Sequence, residues 1–438
     1  RADKFKASPP TVYEQQYLIG FRGLLVIEAF LWVFLQTFVP ASVAASANSS
    51  GKAYQEGLRK SLSVIFWNEY FLYGAFIFLS ARSIAIPFIR HPRKEILARS
   101  ILCRGITLWF PIAISLAIIK TAFTCTGQQY INEFKSETGN RSINVPYMIP
   151  NAFAYFNSVF NMFWTTHRFS ISAGSTAFPS QTLWMLNVIY SQSFTVYVAM
   201  IIIPYTRRKW RVQGAVFFVI TAWWVQSWAW YTISGLLFCD MVMTMNFKIV
   251  AQRGIPVNLP FGLLRRADGN VYRLPVWIPA SLCLFAGYLM QFLWVAWRPD
   301  LFAKEYEIHT GLYYTAGLNN QYQTHHTKAR DDVYLVLVGF FTFLESYDIL
   351  QRVFQNKLLL YLGRRSLSYF LIQSTMIYLA GIKTFQHLRA NHTSNQGAVI
   401  VAFITSLAVV VPVAELFYRL VEEPSKLFAH KFYDFLTS

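Results

Sequence analysis

Charge is scarce in this chain. Of 438 residues only 14% are charged, whereas 55% are hydrophobic and 18% aromatic. A mean hydropathy of +0.34 excludes an ordinary soluble protein and calls for several membrane-spanning segments. Acids are the scarcer sign: 21 Asp and Glu stand against 39 Lys and Arg, for a net charge of +18. In a soluble chain that excess would suggest nucleic acid. Here basic cytoplasmic loops facing anionic lipid account for it, and no nucleic-acid partner is expected. Cysteine is rare as well. Cys103, Cys125, Cys239 and Cys283 are scattered and mostly inside apolar segments, which excludes a disulfide framework and a zinc spacing, and no metal site is expected. A P-loop, a dinucleotide fingerprint, HExxH and a nucleophile elbow are all missing. No cleavable signal peptide is visible, because the first apolar run is too long and lacks a small-residue cleavage site. The chain opens on Arg1 rather than Met, so further residues are expected upstream.

What the chain has is apolar runs. The first, Tyr17 to Pro40, is long enough to cross a bilayer as a helix. Others follow at about Ser63–Ile84, Gly105–Thr124, Thr182–Tyr205, two between Gly214 and Phe247, Pro275–Trp297, Val333–Leu350, Leu367–Thr384 and Ala398–Leu420. The expected fold is therefore an all-α integral membrane protein, a single domain over 1–438 with about ten spans in one bundle. With residues 1–16 cytoplasmic, the basic connectors after the second, fourth, sixth and eighth spans all face the cytoplasm, as the positive-inside rule prefers. The same orientation puts three glycosylation sequons, at Asn48, Asn140 and Asn391, in lumenal loops. Both termini are then cytoplasmic, and residues 421–438 form an interfacial tail with Phe428, Phe432 and Phe435 on one helical face.

Candidate chemistry starts from intramembrane charge, which is costly unless neutralised, paired or facing a cavity. Glu28, Glu69, Asp240, Glu345 and Glu415 are such residues. Arg22 sits at the edge of the first run, where its stem can snorkel to the phosphate level. Gly20 and Gly23 flank it and permit close approach of a helix or ligand. The basic segment Arg90, Arg93, Lys94, Arg99, Arg104 suits the phosphates of coenzyme A, although topology alone also explains it. His325 and His326 are read as solvated loop residues or as a base or metal pair, and His167 as a surface residue or a base.

The order of these features resembles the acyltransferase 3 family, and within it the fungal members. YLIGFRGLLVIEAFLW is similar to the family's first-helix Arg-Gly-Leu motif, FLYGAFIFLSAR to its second-helix motif and ILCRGITLWFPI to its Arg-x-x-Arg segment. TLWMLNVIYSQSF, YLGRRSLSYFLIQS and LVEEPSKLF resemble its Trp, Gly-basic-x-Ser-Tyr and terminal acid-x-Pro motifs. The resemblance runs through nearly the whole chain. It implies transfer of an acyl group, acetyl in the simplest case, from cytoplasmic acyl-CoA to a hydroxyl of a glycan, lipid or metabolite. It implies a eukaryotic endoplasmic reticulum, other secretory or plasma membrane. Arg22, Arg99 and Arg104 would bind the donor, and Arg22, Glu28 and Trp184 would serve catalysis. Four positions depart from the family. Val33 stands where its first helix carries a His, Thr107 replaces the second Arg, Ile189 the acid after the Trp, and Gln373 a late His. Two expectations follow: an acyltransferase whose base has moved, Glu28 being the candidate, or an inactive homologue serving another membrane enzyme as accessory subunit or lipid and glycan conduit.

Overall fold

The computed structural model describes residues 15–43, 51–164, 169–256, 273–298 and 329–438. In chain order the principal helices are α1 (Gln16–Phe38), α2 (Glu69–Arg90), α3 (Lys94–Thr126), α4 (Gln129–Thr138), α5 (Ala152–Trp164) and α6 (Trp184–Ile202). Next come α7 (Arg208–Trp224), α8 (Ala229–Thr244), α9 (Phe247–Arg253), α10 (Trp277–Gln291), α11 (Asp331–Ser346) and α12 (Asp348–Phe354). The chain ends with α13 (Lys357–Arg364), α14 (Ser366–Met376), α15 (Ile382–Ala390), α16 (Asn395–Phe417) and α17 (Glu423–Thr437). The strand content of the described residues is one antiparallel ribbon, β1 (Ile255–Pro256) against β2 (Arg273–Leu274).

Among the described residues six helical runs are long and apolar enough to span a membrane, and two sharply bent pairs, α8–α9 at 86° and α11–α12 at 104°, raise the number to eight. Two of the ten expected spans fall outside that count. Helix α7 has 17 residues, about 26 Å, short of a hydrocarbon core of about 30 Å. Helices α14 and α15 continue each other through a π turn at Ile377–Gly381, but Ser368, Gln373, Ser374 and Thr375 make the run polar and are all buried within the bundle. Its polar groups point at protein instead of lipid, so hydropathy understates it.

The residues following the third span form further short helices. Helix α5, 13 residues long, folds back against the middle of α3: Tyr155 donates to the Ala113 carbonyl at 2.5 Å and Phe160 lies 6.0 Å from Trp109. Phe153, Phe156 and Trp164 are exposed. The 13 residues of α5 are too few to span a bilayer. The tail differs from a separate surface helix. Helices α16 and α17 form one 43-residue run, joined by a π turn at Tyr418–Glu422. Pro424 lies two residues past that π turn and has no N–H to donate within the run, so the regular ladder is interrupted here. The α17 segment pairs antiparallel with the start of α3, Tyr433 reaching the Glu95 carbonyl and Cys103 the Ala429 carbonyl. Phe428 and Phe435 remain exposed.

Helix α1 is central because its glycines admit backbone contact. A Cβ on Gly23 would lie 2.0 Å from the Leu359 carbonyl oxygen, and one on Gly363 would lie 1.8 Å from that of Ile19. So α1 and α13 touch main chain to main chain, as small residues allow in a membrane. Gly363→Ala is expected to lower the thermal unfolding midpoint in detergent by forcing these helices apart, at a cost of about 1–3 kcal/mol or more. Gly57→Ala, where nothing lies within 4 Å, is the control. An unchanged midpoint for Gly363→Ala would refute the contact.

Candidate functional site

Helices α1, α2, α3, α6, α14 and the start of α17 enclose a cavity of about 230 Å³ whose lining includes Arg22, Ser80, Ser83, Arg104, Glu422 and Lys426. Ser80 and Ser83 are three residues apart on α2 and so share a face. Arg22 donates to Ser83 Oγ and Arg104 to Ser80 Oγ, each at 2.6 Å. Ser83 donates its own O–H to the Leu79 carbonyl at 2.7 Å, which leaves its oxygen free to accept. Neither arginine has a carboxylate within ion-pair distance among the described residues. Two guanidiniums held by hydroxyls and open to a cavity keep most of their donors for a ligand.

Arg364 and Lys426 add positive charge to the same wall. The one carboxylate there, Glu422, is already engaged. It accepts from the Ser368 backbone N–H at 3.1 Å, from the Ser368 hydroxyl and from Lys426 Nζ at 2.6 Å. It thus ties the first turn of α14 to the α16–α17 run and offsets only part of the positive charge. Next to Arg364, Arg365 is committed elsewhere, bound to Glu415 and stacked 3.8 Å from the Tyr361 ring centroid. The rest of the lining includes the apolar side chains Phe76, Leu108, Met185, Leu186 and Ile189.

A second cavity of about 560 Å³ adjoins the first through Ser83, Arg104 and Thr107, and is lined further out by Arg99, Cys103 and His430. Arg99 donates to His430 Nδ1 at 3.2 Å and approaches Asp434 at 3.5 Å. The three arginines singled out in sequence, Arg22, Arg99 and Arg104, therefore meet along one continuous pair of cavities. Two of the family departures, Thr107 and Ile189, line the inner one, and Val33 and Gln373 line neither. Sequence reasoning passed over Ser80, Ser83, Arg364, Glu422 and Lys426, although the quoted motifs contain four of them and Ser83 directly follows FLYGAFIFLSAR.

Glu28 and Trp184 do not join this site. Glu28 is buried on α1 and makes no hydrogen bond or ion pair among the described residues. Trp184 is buried in an aromatic cluster, 4.9 Å from Tyr73 and 6.0 Å from Trp228. Asp240 pairs with Arg211 at 2.8 Å and Glu345 with Arg82 at 2.6 Å, both structural pairings. Of the sequons, Asn391 is exposed. Asn140 is 1% exposed, and its amide nitrogen donates to the Gln36 and Thr37 carbonyls, each at 2.9 Å. A glycan on that nitrogen is incompatible with this packing, so Asn140 acts as a cap on the end of α1 instead. Asn48, His167, His325 and His326 lie outside the described residues. No family model, curated protein or solved structure matches the chain.

Proposed function

We propose that the protein is a membrane-bound O-acyltransferase of the acyltransferase 3 type, moving an acyl group, acetyl in the simplest case, from cytoplasmic acyl-CoA to a hydroxyl of a glycan, lipid or small metabolite. One observation carries this reading. Arg22 and Arg104, 82 residues apart in the chain, converge with Arg364 and Lys426 on a cavity that holds more positive charge than its single carboxylate offsets. Such a site suits phosphate or a developing oxyanion. In this reading Arg99 and Arg104 bind donor phosphates and Arg22 polarises the thioester carbonyl. The apolar wall around Ile189 shields the thioester from water. The acceptor oxygen loses its proton, bonds to the acyl carbon and displaces coenzyme A, which leaves as the thiol. Basic connectors then face the cytoplasm, and the membrane is one of the secretory pathway or the plasma membrane.

The second reading is a donor-binding or conduit protein that assists another enzyme. It is favoured by the neutral side chains Thr107 and Ile189 on the cavity wall and by the absence of an unengaged carboxylate among its lining residues. Release of free coenzyme A from acetyl-CoA by the purified protein in nanodiscs, with and without a hydroxyl-rich acceptor pool, separates the two. Acceptor-dependent release supports the enzyme. A fall in Glu28→Gln would assign the proton to Glu28, and unaltered release would discard that role. Coenzyme A binding without release favours the donor-binding form of the second reading, and no binding at all refutes the enzyme and favours an accessory or conduit protein.

A further inference from the structure

The basic turn Arg207-Arg208-Lys209-Trp210-Arg211, which opens α7, has little acidic charge to meet. Arg207, Arg208 and Lys209 are exposed and form no salt bridge among the described residues, and only Arg211 is paired, with Asp240 at 2.8 Å. The first turn of α7 has no capping side chain, so its free N–H groups add to the positive end. Beside this turn runs a cleft of about 270 Å³ between α6, α7 and α8. Ile202, Phe218, Ile233, Leu236 and Leu237 make it apolar, and Trp210 and the Arg211–Asp240 ion pair line the end next in sequence to Arg207, Arg208 and Lys209. From Trp210 to Phe218 it follows α7 for roughly 12 Å. Trp210 is 63% exposed at the rim, the place of an interfacial aromatic anchor. Arg211 is only 14% exposed in its side chain, and its Nε has no hydrogen-bond partner.

Cations at one end and an apolar slot running inward match an amphiphile with a negative head and a hydrocarbon tail. We infer that the α6–α7–α8 cleft is a binding site for an anionic phospholipid, with one acyl chain in the slot and the phosphate on Arg207, Arg208 and Lys209. A zwitterionic lipid offers the same tail but leaves the positive excess uncompensated. A soluble anion would leave the slot exposed. This inference stands apart from the acyltransferase reading.

Native mass spectrometry of the detergent-purified protein, titrated with phosphatidylglycerol and separately with phosphatidylcholine, tests it. Phosphatidylglycerol is expected to bind at least tenfold more tightly. Replacing Arg207, Arg208 and Lys209 with Gln should weaken it on the order of 100-fold, about fivefold per cation, and leave phosphatidylcholine unchanged. These side chains are exposed, so the fold is spared. Leu237→Trp keeps every charge but fills the slot, and is expected to weaken both lipids; Leu237→Phe is the milder companion if the larger ring disturbs the bundle. Equal affinity for the two lipids in the unaltered protein overturns the inference. So does a filled slot that binds phosphatidylglycerol as before, which would mean surface attraction only.

Discussion

Replacing Arg22 and Arg104 together with Ala is expected to lower coenzyme A affinity at least 100-fold while leaving the thermal unfolding midpoint nearly unchanged. The magnitude follows from the kind of contact. A hydrogen bond to a charged group contributes about 1.5–3 kcal/mol, or roughly 10- to 150-fold in affinity, and each arginine presents several donors to the cavity. Folding depends on them little, because their protein partners are the hydroxyls of Ser83 and Ser80 and no buried carboxylate loses a counterion. Lys at either position is expected to recover only part of the affinity, since an ammonium lacks the planar fork. Arg389→Ala is the control: it removes an exposed cation whose nearest carboxylate is Glu137 at 3.8 Å, far from the cavities. Affinity measured by equilibrium binding that is the same in the double variant and the control would remove both arginines from the donor site.

Much of this site is legible in the sequence, and what is hidden is hidden for physical reasons. Arg22 and Arg104 could be singled out because a charge near an apolar run is rare and costly. Glu422 is as costly a residue, yet it follows the last apolar run and reads as part of a polar tail. Only the continuation of α16 into α17 carries it back against Ser368. Ser80 and Ser83 give no signal, because a serine within a helix usually bonds its own backbone, as Ser83 does here. Helix α5 escaped notice because Asn157, Ser158 and Asn161 interrupt its apolar face, and no local pattern reveals that it packs on α3. The helical, multi-pass character was readable from hydropathy alone. The number of spans was not, since α14 is polar on the surfaces it buries. The Asn140 sequon shows the opposite failure: a motif match whose amide is consumed by the end of α1.

Glu345→Ala is expected to destabilise the folded chain by about 3–5 kcal/mol, the largest loss among single substitutions considered. Arg82 and Glu345 are 1% and 2% exposed in their side chains and 2.6 Å apart. Tyr17 donates to both carboxylate oxygens, at 2.8 and 2.7 Å, so one set of contacts ties α1, α2 and α11 together. Removing the carboxylate strands a guanidinium in the interior, where Nε and Nη1 already have no hydrogen-bond partner. The cost comes from that stranded charge and not from the worth of the pair, which a buried ion pair barely covers against desolvation. Arg82→Met combined with Glu345→Leu should therefore recover most of the lost stability, and Tyr17→Phe should cost less than Glu345→Ala. The consequence for the site follows from position. Arg82 precedes Ser83, the residue that holds Arg22, and Tyr17 lies on the same helix as Arg22. If the three contacts align α1 with α2, coenzyme A affinity should fall in Glu345→Ala and return in the Met/Leu variant along with the unfolding midpoint. If stability returns without affinity, the ion pair orients the arginines in a way that packing alone does not. A single variant as stable as the unaltered protein would show that the guanidinium reaches water by another route.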